Sequence, residues 1–200
     1  MGVISNGTTL LDAGALTGGI ATGSLILLST QTASASATIS FTTGIDDTYD
    51  SYVFKFINIH PATASSKFTF QADTGTNTNY NQAITSTMFG AYHAEGDGSQ
   101  GLGYEGGHDQ AQGTAFETLV INLGSDNDQS ASGTLHLFNP SSTTFVKHFI
   151  ATNNSSSAAD NSQQDFKAGY FNTTTALTRV RFKMSSGNID SGTIKMYGIK

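Results

Sequence analysis

The sequence predicts an all-β fold: an antiparallel β-sandwich, jelly-roll-like, with an extended N-terminal arm. Three observations lead there. Short strand-like runs alternate with polar turns roughly every dozen residues, as sandwiches and jelly rolls do. Thr178–Met184 sets Arg179, Arg181 and Lys183 against Val180, Phe182 and Met184, the period of two of a half-buried strand. Composition agrees, being rich in β-branched Thr, with no stretch holding a sustained helical period.

Residues 1–24, with Gly2, Gly7, Gly14, Gly18, Gly19 and Gly23, read as an arm that needs a surface to order it, because glycine is costly to fix. The domain then spans residues 25–200. Leu25–Thr30 and Ala37–Phe41 read as a first strand pair. Asp46, Asp47 and Asp50 mark a turn before the strong run Tyr52–His60, which Pro61 closes because it has no amide to donate. Strands follow at Lys67–Ala72 and Ala83–Tyr92. Glu95–Gly113, with seven glycines and few apolar residues, reads as a long functional connection. Further strands are expected at Phe116–Leu123, Gly133–Phe138 and Phe145–Thr152, then a polar loop from Asn153 to Gln164. Thr178–Met184, the turn Ser185–Asn188 and Gly192–Ile199 read as a C-terminal hairpin.

Charge narrows the function. The chain carries a net charge of −6 with its lysines and arginines scattered, so no basic patch offers itself to a phosphate backbone and no nucleic acid is expected. With no cysteine, neither a disulfide framework nor a thiolate zinc site is available. The apolar stretch Ala15–Ser29 is broken by glycine and threonine and has no basic residue before it, so neither a signal peptide nor membrane insertion is expected.

Candidate chemistry is sparse. His60, His136 and His148 sit on strands without a carboxylate at ligand spacing, and read as structural. His93, Glu95 and Asp97, with Glu105, His108 and Asp109, match no tight metal motif. Asp126, Asn127 and Asp128, like Asp46, Asp47 and Asp50, lack the twelve-residue calcium pattern and read as turns. The glutamates Glu95, Glu105 and Glu117 form no evident acid pair, and no serine has an elbow context. No catalytic residue, metal or cofactor is therefore expected. Glycan binding is the sharper alternative: Tyr92, His93, Tyr104, His108 and Asp109 offer an aromatic platform with hydrogen-bonding partners near the Glu95–Gly113 loop.

Three segments carry a resemblance: Tyr52–Pro61 (YVFKFINIHP), Gly133–Pro140 (GTLHLFNP) and Val180–Lys200 (VRFKMSSGNIDSGTIKMYGIK). Together they resemble a family of small structural proteins and appendage domains of tailed bacteriophages, especially marine and cyanobacterial ones. The resemblance runs from about Tyr52 to Lys200, and Ile4–Thr9 is similar to members of the same group. It implies a jelly-roll-like virion component, assembled in the host cytoplasm, that decorates a capsid or sits on a tail or fibre. Its partners would be other virion proteins and further copies of itself, a trimer being one form. The alternative is a module that recognises host surface glycan through the loop at residues 95–113. The family supplies no agreed catalytic residues.

Overall fold

The computed structural model describes residues 3–5, 8–12, 15–16 and 25–200, and every regular element among them is a strand. Near the N-terminus β1 (Val3–Ser5), β2 (Thr8–Asp12) and β3 (Ala15–Leu16) form a small antiparallel sheet of their own. The remaining part of the expected arm lies outside the described residues.

The domain is built from β4 (Ile26–Ser36), β5 (Ile39–Phe41), β6 (Ser51–Pro61), β7 (Ser66–Thr74), β8 (Ile84–Ala94), β9 (Gln100–Tyr104) and β10 (Ala111–Gly113). After these come β11 (Glu117–Leu123), β12 (Ala131–Phe138), β13 (Lys147–Ser156), β14 (Asn161–Phe171), β15 (Leu177–Met184) and β16 (Ile189–Ile199). Four antiparallel pairs are nested one inside the next: β4 with β16, β5 with β15, β6 with β12, and β7 with β11. Nested pairing of this kind is a long two-stranded ribbon rolled into two facing sheets, the jelly-roll arrangement. One sheet holds β4, β16, β6 and β12 in that order, and the other holds β5, β15, β7 and β11. The fold is thus the antiparallel sandwich that the alternation at Thr178–Met184 predicts.

Two insertions widen the first sheet. The β8–β9–β10 segment leaves between β7 and β11, and the β13–β14 hairpin leaves between β12 and β15. They add in the order β13, β14, β8 beyond β12, giving nine strands in all. β9 and β10 both pair with the outer edge of β8, as one interrupted edge strand.

Apolar side chains from both sheets meet in one core. Phe54, Phe56, Leu135, Ile194 and Met196 of the wide sheet face Phe68, Phe70, Val180, Phe182 and Phe41 of the narrow one, all buried. Phe182 sits at the centre, with ring centroids 5.3–6.3 Å from Phe41, Phe54, Phe56, Phe68 and Phe70. Edge-on contacts dominate, as the quadrupoles of aromatic rings prefer.

Four expectations change. The first strand pair does not form, because β4 and β5 enter different sheets. The C-terminal hairpin is an arch: β15 and β16 also lie in different sheets, and Ser185–Asn188 carries the chain between them. Gly187 (φ 69°) serves that crossing, and a Cβ there would stand 2.4 Å from Thr63 Oγ1. The Glu95–Gly113 connection is not one long loop: it contains β9 and β10, separated by Glu105–Gln110, with a turn at residues 95–99 leading from β8 into β9. The polar loop at Asn153–Gln164 is instead a turn at Ser157–Asp160 between two long central strands.

Candidate functional site

The extension strands β8, β14 and β13 bury polar side chains on part of their inward face and expose apolar ones outward. Side chains alternate across a sheet, so residues i and i+2 share a face. On β14 the core-facing set is Gln163, Asp165, Lys167, Gly169 and Phe171, of which four are buried and Gly169 half-buried; the outward set is Ser162, Gln164, Phe166, Ala168 and Tyr170. The neighbouring strands follow. Ser86, Met88, Asn153 and Ser155 point inward with them, while Thr87, Phe89, His148 and Ile150 point out. Polar groups are therefore sealed inside beside Ile84, Met88, Phe149 and Phe171, while Phe89, Ile150, Phe166 and Tyr170 face outward.

The sealed layer works because β11 supplies a counter-charge. Lys167 Nζ lies 2.5 Å from Glu117 Oε1, and both side chains are fully buried. The same ammonium donates to the His108 carbonyl at 2.5 Å, while Glu117 Oε2 accepts from Ser86 Oγ and Gln110 Nε2, each at 2.9 Å. Burial pushes the Lys167 ammonium below its ordinary range, and Glu117 opposes that shift. Asp165 accepts from the Ile121 backbone N–H at 3.1 Å and from Gln163 Nε2 at 3.0 Å. Burial dominates those bonds and raises its carboxyl from 3.8 to about 6. Asn153 donates to the Leu119 carbonyl, tying β13 to β11 across the sandwich.

Asp165 gives the domain a pH dependence of defined sign. Its folded pKa is above its unfolded one, so between about pH 4 and pH 6 the folded chain holds more protons and loses stability as pH rises. The gap corresponds to roughly 3 kcal/mol at about 1.4 kcal/mol per pH unit. His108 and His136 are shifted down by burial and act with the opposite sign, so the difference between two proteins isolates the aspartate. Urea unfolding should show Asp165→Asn gaining stability over the wild type as pH rises through that window. A difference that stays constant with pH would refute this account of Asp165.

The outward face is continuous. Cross-strand register aligns Thr85–Tyr170–His148, then Thr87–Ala168–Ile150, then Phe89–Phe166–Thr152. Phe89 and Phe166 stack with centroids 4.8 Å apart and planes at 10°. Ala168 is the small residue between Phe166 and Tyr170, so the surface dips there. A depression of about 420 Å³ opens toward His148 and Tyr170, and a smaller one of about 140 Å³ toward Phe89 and Phe166. Ile150 is 52% exposed and Phe89 47%. None of these three rows carries Asp, Glu, Lys or Arg. Leu102 and Tyr104 of β9 add further exposed apolar surface at the sheet edge.

The five residues of the glycan reading are not gathered on one surface. Tyr104 donates a short hydrogen bond to the Asp109 carboxylate, and that bond raises the phenol above its ordinary value. His108 lies next to them, half-buried, with its backbone carbonyl taken by Lys167. Tyr92, however, points to the core-facing side of β8, where its ring packs over Gly101; a Cβ on Gly101 would stand 2.8 Å from that ring. His93, one residue on, turns to the outer face and pairs with Asp97 at 3.3 Å. Its row on β8 is four residues from the Phe89–Tyr104 pair, roughly 13 Å along the strand.

The other candidates take local roles. His60 Nδ1 lies 2.6 Å from the Gln129 carbonyl, and His136 Nε2 lies 3.0 Å from Ser51 Oγ. Asp46 Oδ1 accepts from the Thr48 N–H, which holds its carboxyl low, and the Tyr52 hydroxyl closes the same turn against the Asp46 carbonyl. Asp126–Gln129 is a hydrogen-bonded turn. Among the described residues, no three His, Asp or Glu side chains are placed to share a metal ion, and no helix is long and apolar enough to cross a membrane. Compared with known proteins, the chain matches no family model, no curated protein and no solved structure.

Proposed function

We propose that this protein is a non-enzymatic structural part of a tailed-phage virion, a capsid decoration or a tail or fibre appendage, and that it acts through protein–protein contacts. The observation that carries the reading is the outer face of the extension. A sheet segment that buries Lys167, Glu117 and Asp165 while showing Phe89, Phe166, Ile150 and Tyr170 holds apolar surface left open among the described residues, suited to a partner. Contiguous exposed apolar surface of this kind marks interaction sites, and aromatic residues are enriched at interface cores. The absence of formal charge along the three rows suits a protein partner, since charges are depleted at interface centres. The resemblance of Tyr52–Pro61, Gly133–Pro140 and Val180–Lys200 to phage structural proteins supplies the setting.

The test uses the full chain and the particles of a phage that encodes it. An antibody to the chain should label those virions at a fixed number of positions. Ile150→Lys with Phe89→Lys, both outward and exposed, should abolish incorporation while leaving the circular dichroism and melting temperature close to wild type. Particles that contain no copy of the chain would overturn the reading, and so would undiminished incorporation of the double variant.

A further inference from the structure

We infer that the open edge of β4 is a self-pairing surface, joining two copies of this chain through antiparallel β4–β4 hydrogen bonds about a two-fold axis. Open edges are normally blunted by shortness, charge, proline or a bulge, because their unpaired N–H and C=O groups template another strand. Three of the four edges here are blunted. β5 has three residues. β11 is irregular in register and bridged to Ser157 through Leu123. The β9/β10 edge is broken by Glu105–Gln110, whose His108 carbonyl is anchored to Lys167. β4 runs eleven residues, Ile26–Ser36, with no charge, no proline and no glycine, and its one register shift falls at Leu28, leaving Ser29–Ser34 in regular register with β16. Among the described residues only β16 pairs with it.

Local bonds show which part of the edge is open. The Ser34 N–H is taken by Ser36 Oγ, Ala35 has φ 48°, and the Ala35 carbonyl accepts from Asn188 Nδ2. The strand is thus closed off beyond Ala33. Backbone direction alternates along a regular ladder, so the amides of Thr32 and Thr30 turn the same way as that of Ser34, away from β16. The run Ser29–Thr32 presents hydroxyl and amide side chains and no charge. Two copies can approach without like charges meeting, and Thr–Thr contacts across strands are favourable. The Thr32–Thr193 hydroxyl pair at 3.5 Å shows the same contact within the chain. This uncharged self-complementarity is why the occupant is a second copy: an antiparallel pair of identical strands closes with two-fold symmetry, while docking on the interrupted β9/β10 edge would not.

The chain has no cysteine, so a single introduced cysteine can bond only to another copy. Ser29→Cys, Thr30→Cys, Gln31→Cys and Thr32→Cys are made in the full chain and oxidised. One position, the residue that meets its own copy on the two-fold axis, should give a covalent dimer, with the others unreactive. The unmodified protein should sediment at twice its mass of 20.9 kDa, and Thr30→Lys with Thr32→Lys should halve that mass without lowering the melting temperature. A monomeric wild type overturns the inference, as does a trimer with no cross-link in β4, or pairing of β4 with a different protein. This inference stands apart from the virion reading: a monomer that still enters particles defeats only the β4 pair, and a β4 dimer absent from particles defeats only the virion role.

Discussion

Phe182→Ala should lower the unfolding free energy by about 3–5 kcal/mol, the range for large-to-small changes at a closed core site. The residue is fully buried and touches five other rings drawn from β5, β6 and β7, so no single neighbour can move to fill the void. The two sheets meet at this ring. Urea unfolding checks the value through a fall in midpoint at unchanged slope. Phe182→Leu, which keeps much of the volume, should lose distinctly less. Equal losses for both variants would mean that ring packing is not what holds the sheets together.

Lys167→Met should cost a similar amount, about 3–5 kcal/mol, for a different reason. The loss comes less from the ion pair itself than from the Glu117 carboxylate left buried without a cation. The two effects separate in a double variant. Adding Glu117→Gln to Lys167→Met should recover part of the loss, because a neutral amide costs far less to bury and keeps an acceptor for Ser86 and Gln110. A double variant less stable than Lys167→Met alone would show that the unpaired Glu117 charge is not the source of the loss, and that its bonds to Ser86 and Gln110 outweigh it.

Sequence patterning was informative wherever the apolar face of a strand is its buried face. Tyr52, Phe54 and Phe56 alternate against Val53 and Lys55, and β6 lies where that pattern places it. Val180, Phe182 and Met184 do the same for β15. Partner choice was less legible. Adjacent strands suggest hairpins, yet β4 and β5, like β15 and β16, are split between sheets because a rolled ribbon pairs the chain's early strands with its late ones. Such long-range pairing leaves no local signature. β14 was hidden by its own chemistry. Its first residues fall in the stretch read as a polar loop, its charged pair Asp165 and Lys167 gives no signal of a buried face, and only the arrival of Glu117 from another sheet makes the burial of Lys167 affordable. The outer surface was concealed too, since Phe166, Ala168 and Tyr170 show a period of two that does not say which face is the inside. The loop set Tyr92, His93, Tyr104, His108 and Asp109 is close in sequence, but strand alternation sends Tyr92 and His93 to opposite faces.

On the proposed virion role, the outward apolar rows of β8, β14 and β13 should be covered by protein in the assembled particle. Hydroxyl-radical footprinting of the full chain, free and within purified virions, measures this side chain by side chain. The account predicts strong labelling of Phe89, Phe166, Ile150 and Tyr170 in the free protein and marked protection in the particle, with Phe145, exposed outside these rows, serving as the comparison. Equal labelling of the four residues in both states would contradict it.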